Sequence, residues 1–320
     1  MIPRPPTPIC AFEIAPDGAA TPLEGCDPSP PASGFRWYHF DLADPALEPW
    51  VRQHLPPTAA SALTQSETRP RCDTLDDGMI LNLRGVNLNP GADADDMVSI
   101  RLWVSDGLIL STRARKVFAA DALRRGIESG KAPGDIAAFL CELTYGLTRR
   151  IEEVSLETVE RTDELEERSL GEVRSLAMDL AEQRQSVIKM RRFLRPQGEA
   201  IDRLLAAERW IFDPGHADLM RETANRTRRI IEELDATADR LQAIQDHLDN
   251  LQTAALGRNS YVLSVVAAIF LPLGFLTGLF GINVGGMPGV ENDAGFWIVT
   301  AISLLLGAVL FWVFRALKWL

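Results

Sequence analysis

Groups that bind metals or attack substrates are scarce in this chain. Its 320 residues include four cysteines, four histidines and three tyrosines. Cys10, Cys26, Cys72 and Cys141 lie far apart, with no Cys-x-x-Cys pair. That spacing excludes a zinc knuckle or a disulfide framework and reads as reduced, cytosolic thiols. No nucleophile–base set, phosphate-cradling glycine loop or metal-ligand motif stands out, so an enzyme is not expected and no cofactor is called for. The formal net charge of −11 argues against a nucleic-acid partner and suits a surface that gathers cations. The first thirty or so residues are rich in Pro and hold no apolar core, so no signal sequence is read there.

The most informative absence is of charge. Tyr261 to Leu279 contains no Asp, Glu, Lys, Arg or His, and neither does Phe296 to Phe314. Each run is about nineteen residues, enough for a helix to cross a ~30 Å hydrocarbon core. The link between them has no Lys or Arg and only two acidic residues, Glu291 and Asp293. Arg258 precedes the first run, and Arg315 and Lys318 follow the second. The positive-inside rule then places both chain ends in the cytoplasm and the link outside. Tyr261, Trp297, Trp312 and Trp319 fall where amphipathic rings favour a membrane interface. Two buried core helices are the alternative, but two uncharged runs of this length rarely share a soluble domain.

Around that pair the residues form a recognisable block. Phe270-Leu271-Pro272-Leu273-Gly274-Phe275-Leu276-Thr277-Gly278-Leu279-Phe280-Gly281-Ile282-Asn283 resembles the end of the first membrane helix of CorA-type divalent-metal transporters. That family has Gly-Met-Asn at the outer mouth of its pore; here Ile282 takes the middle place. Gly281-Ile282-Asn283 followed by Val-Gly-Gly-Met-Pro-Gly is similar to the ZntB branch, associated with zinc. The resemblance implies a homopentamer whose long helices form a cytoplasmic funnel leading to a pore.

The expected fold is an α+β cytoplasmic domain, a small and mostly antiparallel sheet covered by helices. A long stalk helix and two C-terminal transmembrane helices follow. The expected divisions are a loose Pro-rich tail over 1–31, with one short strand near Cys10 to Ile14, and the α/β domain with a helical hairpin over 32–213. The stalk then covers 214–258 and the membrane part 259–320, with its helices at about 260–280 and 296–314. Strands are expected at Phe35 to Phe40 and in two hairpins. Asp77-Gly78 and Asp106-Gly107 each sit between β-rich runs, and Asp-Gly is a strong short-range turn signal.

From Val117 onward the pattern is helical. Pro133 is expected to open a helix with Ile136, Leu140, Leu143, Leu147, Ile151 and Val154 on one stripe, and a string of glutamates from Glu152 to Glu167 on its outer face. That acidic face reads first as solvated, and otherwise as a cation-attracting surface. The next helix, through Leu176 and Leu194, should stop at Pro196-Gln197-Gly198, and a third should run from Glu199 to Phe212. In the stalk, Ile230, Leu234, Leu241, Ile244, Leu248, Leu251 and Ala255 keep three-and-four spacing, a seam for a helical partner.

Ser260, Ser264, Ala267, Leu271, Gly274 and Gly278 share one small-residue face of the first membrane helix. By itself this face reads as close helix packing. The resemblance instead makes it pore-lining, with Leu263 as an apolar constriction. No ligand for direct zinc binding lies in either run, so the ion is expected to pass hydrated. Asn283 would accept hydrogen bonds from metal-bound water; alternatively it caps the helix. Glu291 and Asp293, repeated around the mouth, would concentrate cations. Asp246, His247 and Asp249 are candidate funnel ligands, though a solvated face is the simpler reading. The cargo implied is Zn2+, with Mg2+, Co2+, Ni2+ and Cd2+ open; the partners are the bilayer, the metal cations and further copies of the chain. Proton coupling comes with the resemblance, although neither run offers a titratable relay. A CorA-like magnesium channel and a membrane-anchored coiled-coil scaffold are the rival readings.

The topology has a direct test. The cysteine created by Asp293→Cys is expected to react with an impermeant thiol reagent added to intact spheroplasts. Labelling only after lysis would invert the orientation.

Overall fold

The computed structural model describes residues 4–171, 176–207, 212–282 and 293–316. The chain divides into two compact units, Met1–Gln245 and Asp246–Leu320, and one helix belongs to both.

The first unit is built on a seven-stranded sheet. In chain order the strands are β1 (Cys10–Ile14), β2 (Ala20–Pro22), β3 (Phe35–Asp41), β4 (Arg71–Leu75), β5 (Gly78–Gly85), β6 (Val98–Ser105) and β7 (Leu108–Arg113). Across the sheet they run β2-β1-β3-β7-β6-β5-β4. Every pairing is antiparallel except β3 with β7, which is parallel and joins the N-terminal strands to the central meander. The expected loose tail therefore supplies two strands, and only β1 had been anticipated. Prolines restrict that segment without preventing edge pairing. Its loop is also tied down, because Cys26 Sγ donates to Pro6 O at 3.1 Å and Arg36 holds both Glu13 and Asp27.

Both hairpins form, but only one turns where the dipeptide suggested. Ser105 pairs with Leu108, so Asp106-Gly107 is the loop, and Gly107 has φ +75°. Leu75 pairs with Gly78, which makes Asp76-Asp77 the other loop and puts Gly78 in the strand. Glycine is needed there for space. A Cβ at Gly78 would lie 2.5 Å from Val104 O and 2.6 Å from the Trp103 ring.

Helices cover both faces. On one lie α1 (Leu47–His54) and α2 (Pro57–Thr64), burying Leu47, Trp50, Val51 and Leu63 against Tyr38, Phe40, Trp103 and Leu110. On the other, α3 (Phe118–Glu128) and α4 (Ile136–Ser169) pack Leu123, Phe139, Leu140 and Leu143 onto Trp37, Leu81, Leu102 and Ile109. α4 starts after Asp135, not at Pro133. The Asp135 carboxylate accepts the Ala138 N–H at 2.7 Å, satisfying a donor that the first turn leaves free.

α5 (Leu176–Leu205) runs straight through Pro196, so the expected break and third helix are one element. Proline inside a helix costs about 3 kcal/mol. Against that, Met190, Leu194, Gln197, Ile201 and Leu204 stay buried along one face on both sides of the proline. Gln197 also completes the sheet. β4 begins at Arg71 opposite Asn82, so β5 has no outer neighbour beyond that point. There the Arg84 N–H donates to Gln197 Oε1 at 2.6 Å.

α6 (Pro214–Gly281) has 68 residues. Of its expected seam, Ile230, Leu234, Leu241, Ile244 and Leu248 are buried within the single chain, with Thr237 in the gap, whereas Leu251 and Ala255 are exposed and do not continue it. Polar contacts show what flanks it up to the end of the first unit. Arg226 meets Glu152, and Arg240 meets Asp163 and Glu166, all on α4. Asp235 pairs with Arg191 and Arg195 of α5, each at 2.6 Å. The seam expected to serve a helical partner thus has its partners in the same chain. Part of the acidic face of α4 is likewise matched to arginines of α6 and is not simply solvated.

Hydrophobic periodicity also lost the later part of α4. After Ile151 the buried positions are Ser155, Thr158, Thr162, Leu165 and Ser169, while Val154 is half-buried. Their hydroxyls are largely served locally: Thr158 and Thr162 donate to the carbonyls four residues back, and Gln183 Nε2 of α5 donates to Thr158 O at 2.7 Å. Small hydroxylated side chains can be buried between helices once their polar atoms are paired.

If the seam is intrachain, Leu234→Ala should lower stability by about 2–5 kcal/mol in denaturant unfolding of the full-length protein. A negligible loss of stability, with a change in oligomer size instead, would assign Leu234 to an interface between copies.

Candidate functional site

Past Leu248 the environment of α6 changes abruptly. From Leu251 to Ser264 every residue is exposed. A second, shallower stripe then begins: Val265 is buried, and Ala268, Ile269, Pro272, Leu273 and Leu276 are half-buried. The facing element is α7 (Gly295–Ala316), whose half-buried positions Ser303, Leu306, Gly307, Leu310 and Phe314 keep the same three-and-four spacing. A Cβ on Gly307 would lie 3.8 Å from Leu273 Cδ1, so the two helices meet there in ordinary contact. Sequence inspection had not picked out this stripe, because almost every position in both helices is apolar and periodicity has no contrast to show.

The residues proposed from sequence lie away from that contact. Ser260, Leu263, Ser264, Ala267, Leu271, Gly274 and Gly278 are all exposed, Leu263 at 70% and Leu271 at 73%. Among the described residues, no atom outside the local helix backbone lies within 4 Å of a Cβ built on Gly274 or Gly278, which means the small-xxx-small pair does not pack against α7. The face is only weakly polar in character. Ser264 Oγ donates to Ser260 O at 2.9 Å and Thr277 Oγ1 to Leu273 O at 3.0 Å, so these hydroxyls are satisfied on their own helix.

Gly281 and Ile282 are exposed at the end of α6, and Asp293 is exposed just before α7. Asn283 and Glu291 lie outside the described residues, as do Lys318 and Trp319. Asp246, His247 and Asp249 are exposed on α6. Among the described residues, no group of three or more His, Cys, Asp or Glu side chains is arranged to hold a metal within one chain. The four thiols are separate from one another, two of them half-buried and two buried. Burial pushes Cys10 up to about 12 and Cys26, Cys72 and Cys141 up to about 11. Glu142, exposed on α4, is raised by partial desolvation, which the nearby His216 offsets in part.

α6 and α7 each contain a stretch long and apolar enough to span a membrane, with mean hydropathy of 2.3 and hardly any burial. The core helix of a soluble protein would be largely covered. A family model described as "CorA-like Mg2+ transporter protein" matches residues 32–316. The chain belongs to the CorA family.

Within the CorA family the chain is 35% identical over 288 residues to the Zinc transport protein ZntB of Pectobacterium carotovorum, covering 89% of this chain and 88% of that protein. It is 34% identical over 296 residues to the Divalent cation transporter CmaX of Pseudomonas aeruginosa, covering 89% and 87%. Among solved structures, full-length CmaX matches all of this chain with a TM-score of 0.81 at 30% identity. The CorA magnesium transporter of Methanocaldococcus jannaschii matches 98% of this chain with a TM-score of 0.77 at 17% identity, a likeness of fold. These matches span both units, so the mixed sheet, the long helix and the C-terminal apolar helix together are a family architecture.

Because Gly278 has open space around it in the chain, Gly278→Leu should leave the stability of the folded chain within about 0.5 kcal/mol of wild type. The same change should sharply reduce metal flux. Wild-type flux in this variant would mean that the small-residue face lines nothing.

Proposed function

We propose that this protein carries divalent metal cations, zinc foremost, across a bacterial-type inner membrane. The pore is formed by five copies of the chain, both termini are cytoplasmic, and the link between α6 and α7 is outside. The observation that carries this reading is the exposed, carboxylate-free face of α6 from Ser260 to Gly278, in a chain of this family, left uncovered by α7. Zinc is favoured over magnesium by the relatives named as zinc transport proteins and by Ile282 in place of methionine. The relative named as a divalent cation transporter supports the cargo class alone.

The mechanism follows from what the face offers. It has no group able to replace a metal's water shell, so the ion travels hydrated. Asn283 is positioned by sequence at the mouth, where its amide oxygen accepts hydrogen bonds from that shell. Leu263 and Leu271 narrow the path with apolar surface, a constriction that can gate by dewetting. Asp293 and Glu291 raise the local cation concentration outside. Asp246, His247 and Asp249 would meet a cation only with help from neighbouring copies. No reaction chemistry is asked of the chain.

The decisive measurement is zinc and magnesium flux into liposomes holding the purified protein, with and without a pH gradient. Zinc flux is expected; a response to the gradient would identify proton coupling. Magnesium flux without zinc flux would make it a magnesium channel, and no flux of either would favour an anchored scaffold. Asn283→Ala should cut zinc flux well over tenfold, with one water-mediated hydrogen bond of about 1 kcal/mol lost per copy. Wild-type flux would reduce Asn283 to a helix cap.

A further inference from the structure

The cytoplasmic foot of the α6–α7 pair carries charge that its own unit does not neutralise. From Asn250 to Leu320 the basic residues are Arg258, Arg315 and Lys318, and the acidic ones are Glu291 and Asp293, both in the link. The whole chain has a net charge of −11, so a basic end runs against its balance. Arg258 and Arg315 are both exposed, and neither has an ion pair among the described residues. Asp249, nine residues before Arg258, is about 13 Å away along the axis and on the opposite face of α6. That exceeds the Debye length of about 8 Å at physiological ionic strength.

The contact between the helices sets their levels. Leu273 meets Gly307, and two successive spans cross a membrane in opposite directions, which brings Arg315 level with Val265. Arg258 comes seven residues before Val265, about 10 Å nearer the cytoplasm and on the same face of α6. Val265 is buried on the stripe that faces α7. Arg258 therefore continues that stripe past the level of Ala316, the last described residue of α7. It is turned away from Ser260 and Ser264, so it stands outside the face proposed to line the ion path.

Aromatic rings mark the depth. Tyr261 follows Arg258 by three residues and Trp312 precedes Arg315 by three, each an exposed ring about one turn closer to the hydrocarbon. Amphipathic rings at that level, with a charge one turn beyond, belong to the headgroup layer. The long stems of both arginines let their heads reach that layer together. A guanidinium without a carboxylate offers a fork of donors that matches a phosphate bidentately. In a zwitterionic headgroup the phosphate is already neutralised by its own ammonium. In an anionic one it is not, and two uncompensated positive charges favour that class.

We propose that Arg258 and Arg315 form a binding site for an anionic phospholipid of the cytoplasmic leaflet, at the foot of α6 and α7. The guanidiniums hold the phosphodiester. The acyl chains lie along Val262 and Phe311, one turn into the hydrocarbon on the same faces as the two arginines and 54% and 51% exposed. The site rests on the membrane reading and orientation given above, and adds to them the class of lipid that the protein selects.

The test is native mass spectrometry of the full-length protein, released from detergent holding equal amounts of phosphatidylglycerol and phosphatidylcholine with the same acyl chains. Each arginine should favour the anionic lipid about fivefold, and the pair about thirtyfold. Arg258→Gln with Arg315→Gln should bring the two lipids close to parity, while Arg258→Lys with Arg315→Lys should keep most of the preference. Both side chains are exposed, so the glutamine pair should keep the wild-type unfolding midpoint. Bound lipid without preference in the wild type would overturn the proposal and leave the membrane reading intact; no bound lipid of either kind would remove that reading as well. A preference that survives in the glutamine pair would place the anionic lipid elsewhere, and its loss in the lysine pair would mean that charge does not select it. Added glycerol phosphate should displace no lipid; displacement would make this a site for free phosphate.

Discussion

Everything in this chain is arranged around the change in surroundings along α6. One helix of 68 residues carries a buried seam on its N-terminal half and bare apolar surface on its C-terminal half. An isolated helix of this length gains little stability from propensity alone and depends on packing. Up to Ile244 that packing comes from the same chain. Beyond Leu251 the helix is uncovered on most sides, a condition that hydrocarbon tolerates and water does not.

The first unit is built to hold the N-terminal half of α6. The sheet fixes α3 and α4 through Phe139, Leu140 and Leu143, and the long α4 and α5 extend beyond it to flank α6. Hydrophobic contacts from Ile230 to Ile244 set the seam. The arginine–carboxylate pairs at Arg226, Asp235 and Arg240 lie at its rim, where an ion pair contributes at most about 1 kcal/mol. Each of them bridges to a neighbouring helix, Arg240 to two carboxylates of α4 and Asp235 to two arginines of α5. Thr148 and Thr227 meet at 3.2 Å inside the same bundle and add a directional contact that aliphatic packing lacks.

In the membrane unit, weak contrast leaves the two faces of α6 distinguishable only in three dimensions. The α7 contact runs through Leu273 and Gly307, and the small residues face elsewhere. Small residues in an apolar helix commonly permit close approach of a neighbour. Here the neighbour within the chain does not use Gly274 or Gly278, which leaves that face free for other copies or for a path between them.

Much was legible in sequence wherever one physical signal dominated. Two uncharged runs and the bias of Arg258 and Arg315 marked the membrane helices, since a charge in hydrocarbon is so costly that its absence is unambiguous. The Asp-Gly pairs marked where both hairpins lie, although only Asp106-Gly107 is itself the loop. Tertiary structure decided the rest. Gly78 is a strand residue because Trp103 and Val104 leave no room for a Cβ, which no local pattern announces. α5 continues through Pro196 because packing on both sides outweighs one lost hydrogen bond, and the edge strands β1 and β2 form because β3 offers them a partner. Sequence spacing revealed the α6 seam, but a seam states only that something covers it. That the cover is α4 and α5 of the same chain depends on which surfaces the fold brings together, and a one-dimensional pattern does not carry that information.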